Sequence, residues 1–157
     1  MRLRRYLPLL LALAPTLCWA TDPLKVDILL LRLGMREQEV LQHLARQGAP
    51  VTQGPGTTDG GTALLARTRD GRLRIELSPS GETREITYFF MGHGPNEANL
   101  VRGSVLDRFG RPATEAPLTW CRAPAADGLC PPDQPRLSFR AGAGQAGVLT
   151  LTAGTAP

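Results

Sequence analysis

A seven-residue pattern occurs twice in this chain of 157 residues. Residues 44–50 read LARQGAP and residues 106–112 read LDRFGRP, so Leu-x-Arg-x-Gly-x-Pro recurs at an offset of 62 residues. Each copy ends an amphipathic stretch and is followed by three strand-like segments. Glycine commonly closes a helix in the left-handed conformation, and proline prevents the helix from continuing. The repeat therefore predicts one small helix–sheet unit used twice, and duplicated units of this kind bind more often than they catalyse.

The first twenty residues have the pattern of a secretory signal peptide. A basic start is followed by an apolar run over residues 7–17, and Cys18 and Ala20 stand at positions −3 and −1 of a cleavage site before Thr21. The run is shorter than the about 20 residues that span a bilayer, so cleavage is expected rather than an uncleaved anchor. Cys18 raises the alternative of a lipid anchor, but the bulky leucine before it argues against lipidation. Membrane contact is therefore expected only through the signal peptide.

The charge balance changes once the signal peptide is set aside. The whole chain has 18 basic and 14 acidic residues, and three of the arginines lie within residues 1–20. The remaining chain carries 15 bases against 14 acids, so its net charge is close to +1. A nucleic-acid-binding protein needs a clustered excess of basic residues, and no nucleic-acid partner is expected.

Two cysteines remain after the signal peptide, Cys121 and Cys130. An even pair nine residues apart in an exported chain predicts one disulfide that closes a turn-rich loop. A metal site needs more ligands than two cysteines, and a redox motif has a gap of two residues. No metal or cofactor is therefore expected. Trp120, next to the first cysteine, is expected to pack on the disulfide.

Periodicity predicts two helices and six strands. The first helix is expected over residues 36–47, where Val40 and Leu44 share one face, and the second from Asn96 to Gly110. Residues 24–33 are compatible with a lead strand or with the approach to a helix, and residues 53–61 are expected to form a loop. The predicted strands cover residues 63–69, 72–78, 82–90, 118–122, 136–140 and 148–152.

The predicted fold is α+β, with two tandem units of one helix followed by a three-stranded antiparallel sheet. The helices are expected on one sheet face, which leaves the other face open for binding. The units are placed at residues 21–92 and 93–157, after the signal peptide at residues 1–20.

Gly34-Met35, Val40, Leu44, Gly48 and Pro50 carry a family resemblance. A Gly-Met entry, a valine on the helix and a Gly-x-Pro exit before an antiparallel sheet resemble the SmpA/OmlA outer-membrane assembly lipoproteins. Doubling of the unit is similar to the β-lactamase-inhibitor-protein architecture, which implies a sheet surface that grips another protein. The chain departs from these families because the lipidation signal is missing, the stretch from Val40 to Gly48 is longer, and one half alone carries a cysteine pair.

The candidate binding residues are the arginines of one hairpin, its tip and an aromatic neighbour: Arg67, Arg69, Asp70, Arg72, Arg74 and Phe89. A two-residue turn at residues 70–71 places Arg69 opposite Arg72 and Arg67 opposite Arg74. Like charges directly opposite each other destabilise a sheet by a few tenths to about 1 kcal/mol per pair. An anionic group is expected to offset this, either Glu76 and Glu85 on the same face or an acidic partner.

No catalytic arrangement is visible in the sequence. His43 lies on a charged helix and His93 in a glycine-rich connection, and Gly103-Ser104 does not form the nucleophile motif G-x-S-x-G. We expect a periplasmic or secreted protein that is not an enzyme and that binds an envelope protein or another acidic surface. One alternative is an inhibitor of a secreted enzyme that inserts Asp70 into an active site. Another is a small lipid-binding protein or hydrolase, which requires a closed apolar pocket. The sequence leaves the oligomeric state open.

Overall fold

A computed structural model describes residues 22–57, 60–92, 95–142 and 145–154. The predicted signal peptide lies outside these residues. The chain forms a 3-10 turn at Pro23–Lys25, helices α1 (Glu37–Arg46) and α2 (Pro95–Phe109), and strands β1 (Val51–Pro55), β2 (Thr62–Arg67), β3 (Gly71–Leu77), β4 (Thr83–Phe90), β5 (Thr114–Glu115), β6 (Leu118–Cys121), β7 (Arg136–Gly142) and β8 (Gln145–Thr152).

The eight strands form a single antiparallel sheet in the order β1-β2-β3-β4-β8-β7-β6-β5. The predicted fold class of two tandem helix-plus-three-strand units is therefore wrong, because the described residues form one sheet-dominated fold with two helices. The halves merge where β4 pairs with β8 over six residues, with Ile86 opposite Leu151 and Tyr88 opposite Leu149. These four apolar side chains are buried on the same sheet face, so pairing the two strands closes one continuous core.

Two strands were missed in the sequence because they are short edge strands. β1 begins before the glycine-rich stretch that was predicted as a loop, and it includes Gly54 and Pro55. Glycine and proline are tolerated at the edge of a sheet, where one side of the strand makes no ladder. β5 has only two residues and follows the Gly-x-Pro segment of the second repeat copy. Residues 28–31 form a tight turn bridged by Ile28 and Leu31, and not a lead strand.

Both helices pack on the same face of the sheet. Val40 and Leu44 of α1 are fully buried, as their spacing of four residues predicts. Val105 and Phe109 of α2 join the same core, which also includes inward-facing residues from six strands. Side chains alternate along each strand, so the intervening residues line the opposite face, which neither α1 nor α2 covers.

Trp120 lies on the helix side of the sheet, which corrects the expectation that it packs on the disulfide. Its ring centroid is 6.0 Å from that of Phe109, and its indole N–H donates to the carbonyl of Gly110 at 3.0 Å. The alternation along β6 turns the neighbouring Cys121 to the other face. The indole therefore fixes the end of α2 against the sheet.

Candidate functional site: the open sheet face

The arginine hairpin has a register that differs from the predicted one by two residues. Arg67 lies opposite Arg72, and Arg74 lies opposite Leu65. The turn is longer than two residues because Thr68 is tied to Gly71: its amide and its hydroxyl donate to the carbonyl of that glycine at 3.0 and 3.1 Å. A shift of two residues preserves the sheet face. Arg67, Arg72 and Arg74 therefore share the open face, as predicted.

Arg69 and Asp70 lie in the turn, outside the strands. Both are exposed, so Arg69 does not extend the cross-strand arginine pairs as the predicted register had it. The carbonyl of Asp70 accepts a hydrogen bond from the amide of Met91 at 3.1 Å, which holds the tip of the hairpin against the end of β4. Arg69 borders a depression of about 450 Å³ that Arg67, Arg72 and Phe89 also line.

Arg74 has its counter-ion on its own strand. Its Nη2 lies 2.5 Å from Oε1 of Glu76, and its Nε donates to the same oxygen at 2.6 Å. Glu76 is buried, and its second oxygen accepts the amide of Thr57 at 2.9 Å from the loop after β1. A buried carboxylate needs such partners, since an unpaired buried charge is strongly destabilising. The expected offset by Glu76 therefore applies to Arg74.

Arg67 and Arg72 are different because neither has an acidic partner among the residues that the structure describes. They are exposed, stand directly opposite each other, and form no ion pair with any residue in the described ranges. Their mutual repulsion costs a few tenths to about 1 kcal/mol. The chain thus keeps two guanidinium groups side by side and available on an open surface.

Apolar side chains continue the same line across the sheet. Phe89 is half-buried and lies opposite Arg72 on one side and Val148 on the other, and Val148 lies opposite Arg140. We call this line of five residues in five neighbouring strands the arginine row: Arg67, Arg72, Phe89, Val148 and Arg140. Next to it, Leu65 is 41% exposed and helps to line a depression of about 560 Å³. An apolar centre with a charged rim is the usual anatomy of a protein-binding surface.

Away from the arginine row, several polar side chains of the open face form hydrogen bonds within the protein. Glu85 accepts hydrogen bonds from Thr87 at 3.1 Å and from Thr152 at 3.3 Å. Thr119 is buried, and its hydroxyl donates to the carbonyl of Pro117 at 3.2 Å. These groups therefore contribute to the sheet itself.

The predicted disulfide between Cys121 and Cys130 is present, with a Cα–Cα distance of 5.8 Å. Cys121 is buried where β6 ends, so the bridge fixes the loop between β6 and β7 to the sheet. This bond is consistent with a location outside the cytoplasm.

Comparison of the chain with protein-family models, with curated proteins and with solved structures gave no match. The resemblance to the SmpA/OmlA lipoproteins and to the β-lactamase-inhibitor-protein architecture therefore stays a prediction.

The described residues include no membrane-spanning helix and no cluster of metal-binding side chains. No helix there is long and apolar enough to cross a membrane. No group of three or more His, Cys, Asp or Glu side chains in that part of the chain could hold a metal ion. His43 lines a depression of about 570 Å³ with Glu39 and Arg46, and His93 falls outside the described residues.

Sequence reasoning missed the residues that β7 and β8 bring to the site. Val148 and Arg140 join the arginine row, and Gln145 lines the same depressions. The alternation in residues 148–152 places Val148 with Thr150 on one face, which was a usable signal. The pairing of β4 with β8 carries no local signal because it joins residues about 60 positions apart.

Proposed function

We propose that the protein is an exported, non-enzymatic binding module that recognises an acidic segment of another envelope protein through the arginine row. The observation that carries this proposal is the pair Arg67 and Arg72, which stand opposite each other without an acidic partner among the described residues. A neighbouring anion removes their repulsion, so binding of a carboxylate is favoured twice, by attraction and by relief of repulsion.

The geometry of the row supports a protein partner rather than a small anion. Neighbouring strands lie about 4.8 Å apart, so the row from Arg67 to Arg140 spans roughly 19 Å. Guanidinium groups bind carboxylates with two parallel hydrogen bonds, and Phe89 and Val148 supply apolar area between the charged ends. An extended or helical segment with acidic residues at both ends and an apolar residue between them matches this order.

The disulfide supports the exported location, because structural disulfides persist in oxidising compartments. The near balance of 15 bases and 14 acids after residue 20 supports a local patch rather than a general polyanion-binding surface. The proposed partner is therefore a protein of the same compartment, periplasmic or secreted.

The test places a photo-crosslinking phenylalanine analogue at Phe89 in cells that make the protein naturally. The double variant Arg67→Glu, Arg72→Glu is expected to lose the crosslinked partner, since both guanidinium groups become carboxylates. Its folding stability is expected to be nearly unchanged, because the opposed pair remains like-charged. Mass spectrometry identifies the crosslinked protein, and thermal unfolding checks the fold.

The matched control is Arg32→Glu, Arg102→Glu, which makes the same change in charge at exposed positions outside the sheet. It is expected to keep the crosslink. A partner that survives the Arg67 and Arg72 reversal, or that both double variants lose equally, would contradict recognition by the arginine row.

A further inference from the structure

A half-open cavity of about 310 Å³ lies on the helix side of the sheet, away from the arginine row. Its floor includes Phe90 and Leu149 of the sheet, one wall is α2 with Val101, and the opposite wall is the turn at residues 28–31, with Leu29. The lining is predominantly apolar. Its polar members are Asp27, Ser104 and Arg108.

We propose that this cavity binds one unbranched aliphatic chain of about ten carbon atoms that ends in a carboxylate. At about 30 Å³ for each small non-hydrogen group, the volume holds on the order of ten such groups. Ligand sites in proteins are typically concave and apolar, with a few polar groups that fix the orientation. Arg108 and Ser104 supply those groups here.

The turn that forms one wall is held in a conformation that side chains rarely adopt. Leu29 and Leu30 have φ angles of 56° and 67°, in the left-handed region that is unfavourable for residues other than glycine. The turn is fixed from two sides: the side-chain amide of Gln47 donates to the carbonyl of Leu29 at 3.0 Å, and Oδ1 of Asp27 accepts the amide of Leu30 at 3.3 Å. Strained backbone persists where the surroundings enforce it, often beside ligands.

The apolar surface at this site is incompletely covered. Leu100 of α2 is 71% exposed although it lines the cavity. An aliphatic chain lying along α2 removes part of this surface from water, and removal of apolar surface from water is the main source of affinity for such a ligand. The carboxylate end of the ligand is thereby directed along α2 toward Arg108, which lies two helical turns beyond Leu100.

Arg108 is suited to hold the carboxylate. Its Nη2 contacts Asp27 at two points, Oδ1 at 3.2 Å and the carbonyl at 3.3 Å, and its guanidinium carbon lies 5.3 Å from the centre of the Phe109 ring. Nε and Nη1 make no hydrogen bond to any residue that the structure describes. The side chain is 59% exposed and lines the cavity, so these donors are accessible to a ligand. Asp27 is the one acidic residue of the lining and competes with a bound carboxylate.

The first experiment titrates the full chain with decanoate and with 1-decanol, both below the concentrations at which they aggregate. Methyl shifts in carbon-detected NMR report the site. Saturable binding of both probes is expected, with shifts at Val101, Val105 and Leu149. Shifts confined to Leu65 and Val148 on the open face, or the absence of saturation for either probe, would overturn the proposal.

Substitution separates the cavity from nonspecific binding. Val101→Phe fills the cavity and is expected to lower the affinity for both probes by about tenfold or more, because a ligand cannot enter a site that a ring occupies. Val148→Phe, the same change on the opposite sheet face, is expected to leave both affinities unchanged. Equal weakening by the two substitutions would exclude the cavity. The methyl shifts of the unsubstituted protein decide the question even if Val101→Phe does not fold.

The carboxylate assignment is tested by the two charged residues at the mouth. Arg108→Gln is expected to lower the affinity for decanoate by about tenfold or more, because a charge-assisted hydrogen bond is lost. The affinity for 1-decanol is expected to stay unchanged. Asp27→Asn is expected to tighten decanoate, because it removes the competing carboxylate. If both substitutions weaken both probes alike, the ion pair only fastens the turn, and the assignment of the carboxylate to Arg108 is wrong.

Discussion

At the scale of single residues, two glycines differ in what surrounds them. Gly147 of β8 lies under the ring of Phe139, and a methyl group added there would overlap that ring. Phe139 is buried in the core and cannot move without displacing its neighbours. Gly103 lies inside α2, and nothing approaches within 4 Å of the position that its Cβ would take.

The same substitution is therefore expected to have opposite effects at these positions. Gly147→Ala should lower the free energy of unfolding by about 1–3 kcal/mol, since it overpacks the core. Gly103→Ala should raise it by about 0.5–1 kcal/mol, because alanine is the better residue in a helix interior. Urea denaturation followed by circular dichroism measures both, and equal effects of the two changes would contradict the close contact between Phe139 and Gly147.

At the scale of elements, the loop between β6 and β7 depends on the disulfide. Residues 122–135 contain no helix or strand, and the bridge connects Cys130 in this segment to Cys121 at the end of β6. Closing a loop of this length with a disulfide lowers the conformational entropy of the unfolded chain. The double variant Cys121→Ser, Cys130→Ser is expected to lose about 2–3 kcal/mol of stability.

Urea denaturation of this variant, beside the unsubstituted chain with and without reductant, measures that loss. Reduction should lower the midpoint of the unsubstituted chain and leave that of the double variant unchanged. A midpoint that does not change in either case would mean that the loop is held by its packing alone.

The elements show how far the sequence could predict the structure. Helix α1 and the strands with alternating apolar residues were predicted because their burial pattern is local, and Val40 and Leu44 are buried as their shared helical face predicts. The predicted register of the arginine hairpin was wrong because Thr68 lengthens the turn. Its hydroxyl contacts the carbonyl of Gly71 and the hydroxyl of Tyr88, and the Asp-Gly sequence alone does not predict these contacts. Arg67, Arg72 and Arg74 were nevertheless predicted on the correct sheet face, since a shift of two residues preserves the face.

At the scale of the whole molecule, one hydrophobic core joins the two halves that the sequence predicted to be separate helix–sheet units. The buried cluster includes residues from both helices and from six strands, and β4 and β8 are paired at the centre of the sheet. Neither half can bury its share of the cluster without the other. The sequence could not show this, because the pairing that unites the halves depends on strands far apart in the chain.

Unfolding is therefore expected to be a single cooperative transition. If the protein is expressed from Thr21 onward for this measurement, Trp120 is its one tryptophan, and it reports from the second half of the chain. Its fluorescence and the far-ultraviolet circular dichroism of the whole chain should give the same midpoint in urea. Two separate midpoints would show that the two halves fold independently.

The place of β8 in the sheet has a consequence for synthesis on the ribosome. β8 is the last strand along the described chain, yet it lies between β4 and β7 and completes both ladders. Until residues 145–152 have emerged, a growing chain presents two bare strand edges with no partner for either. Bare edges pair readily with other chains. A premature stop shortly before residue 145 would therefore yield a product prone to aggregation.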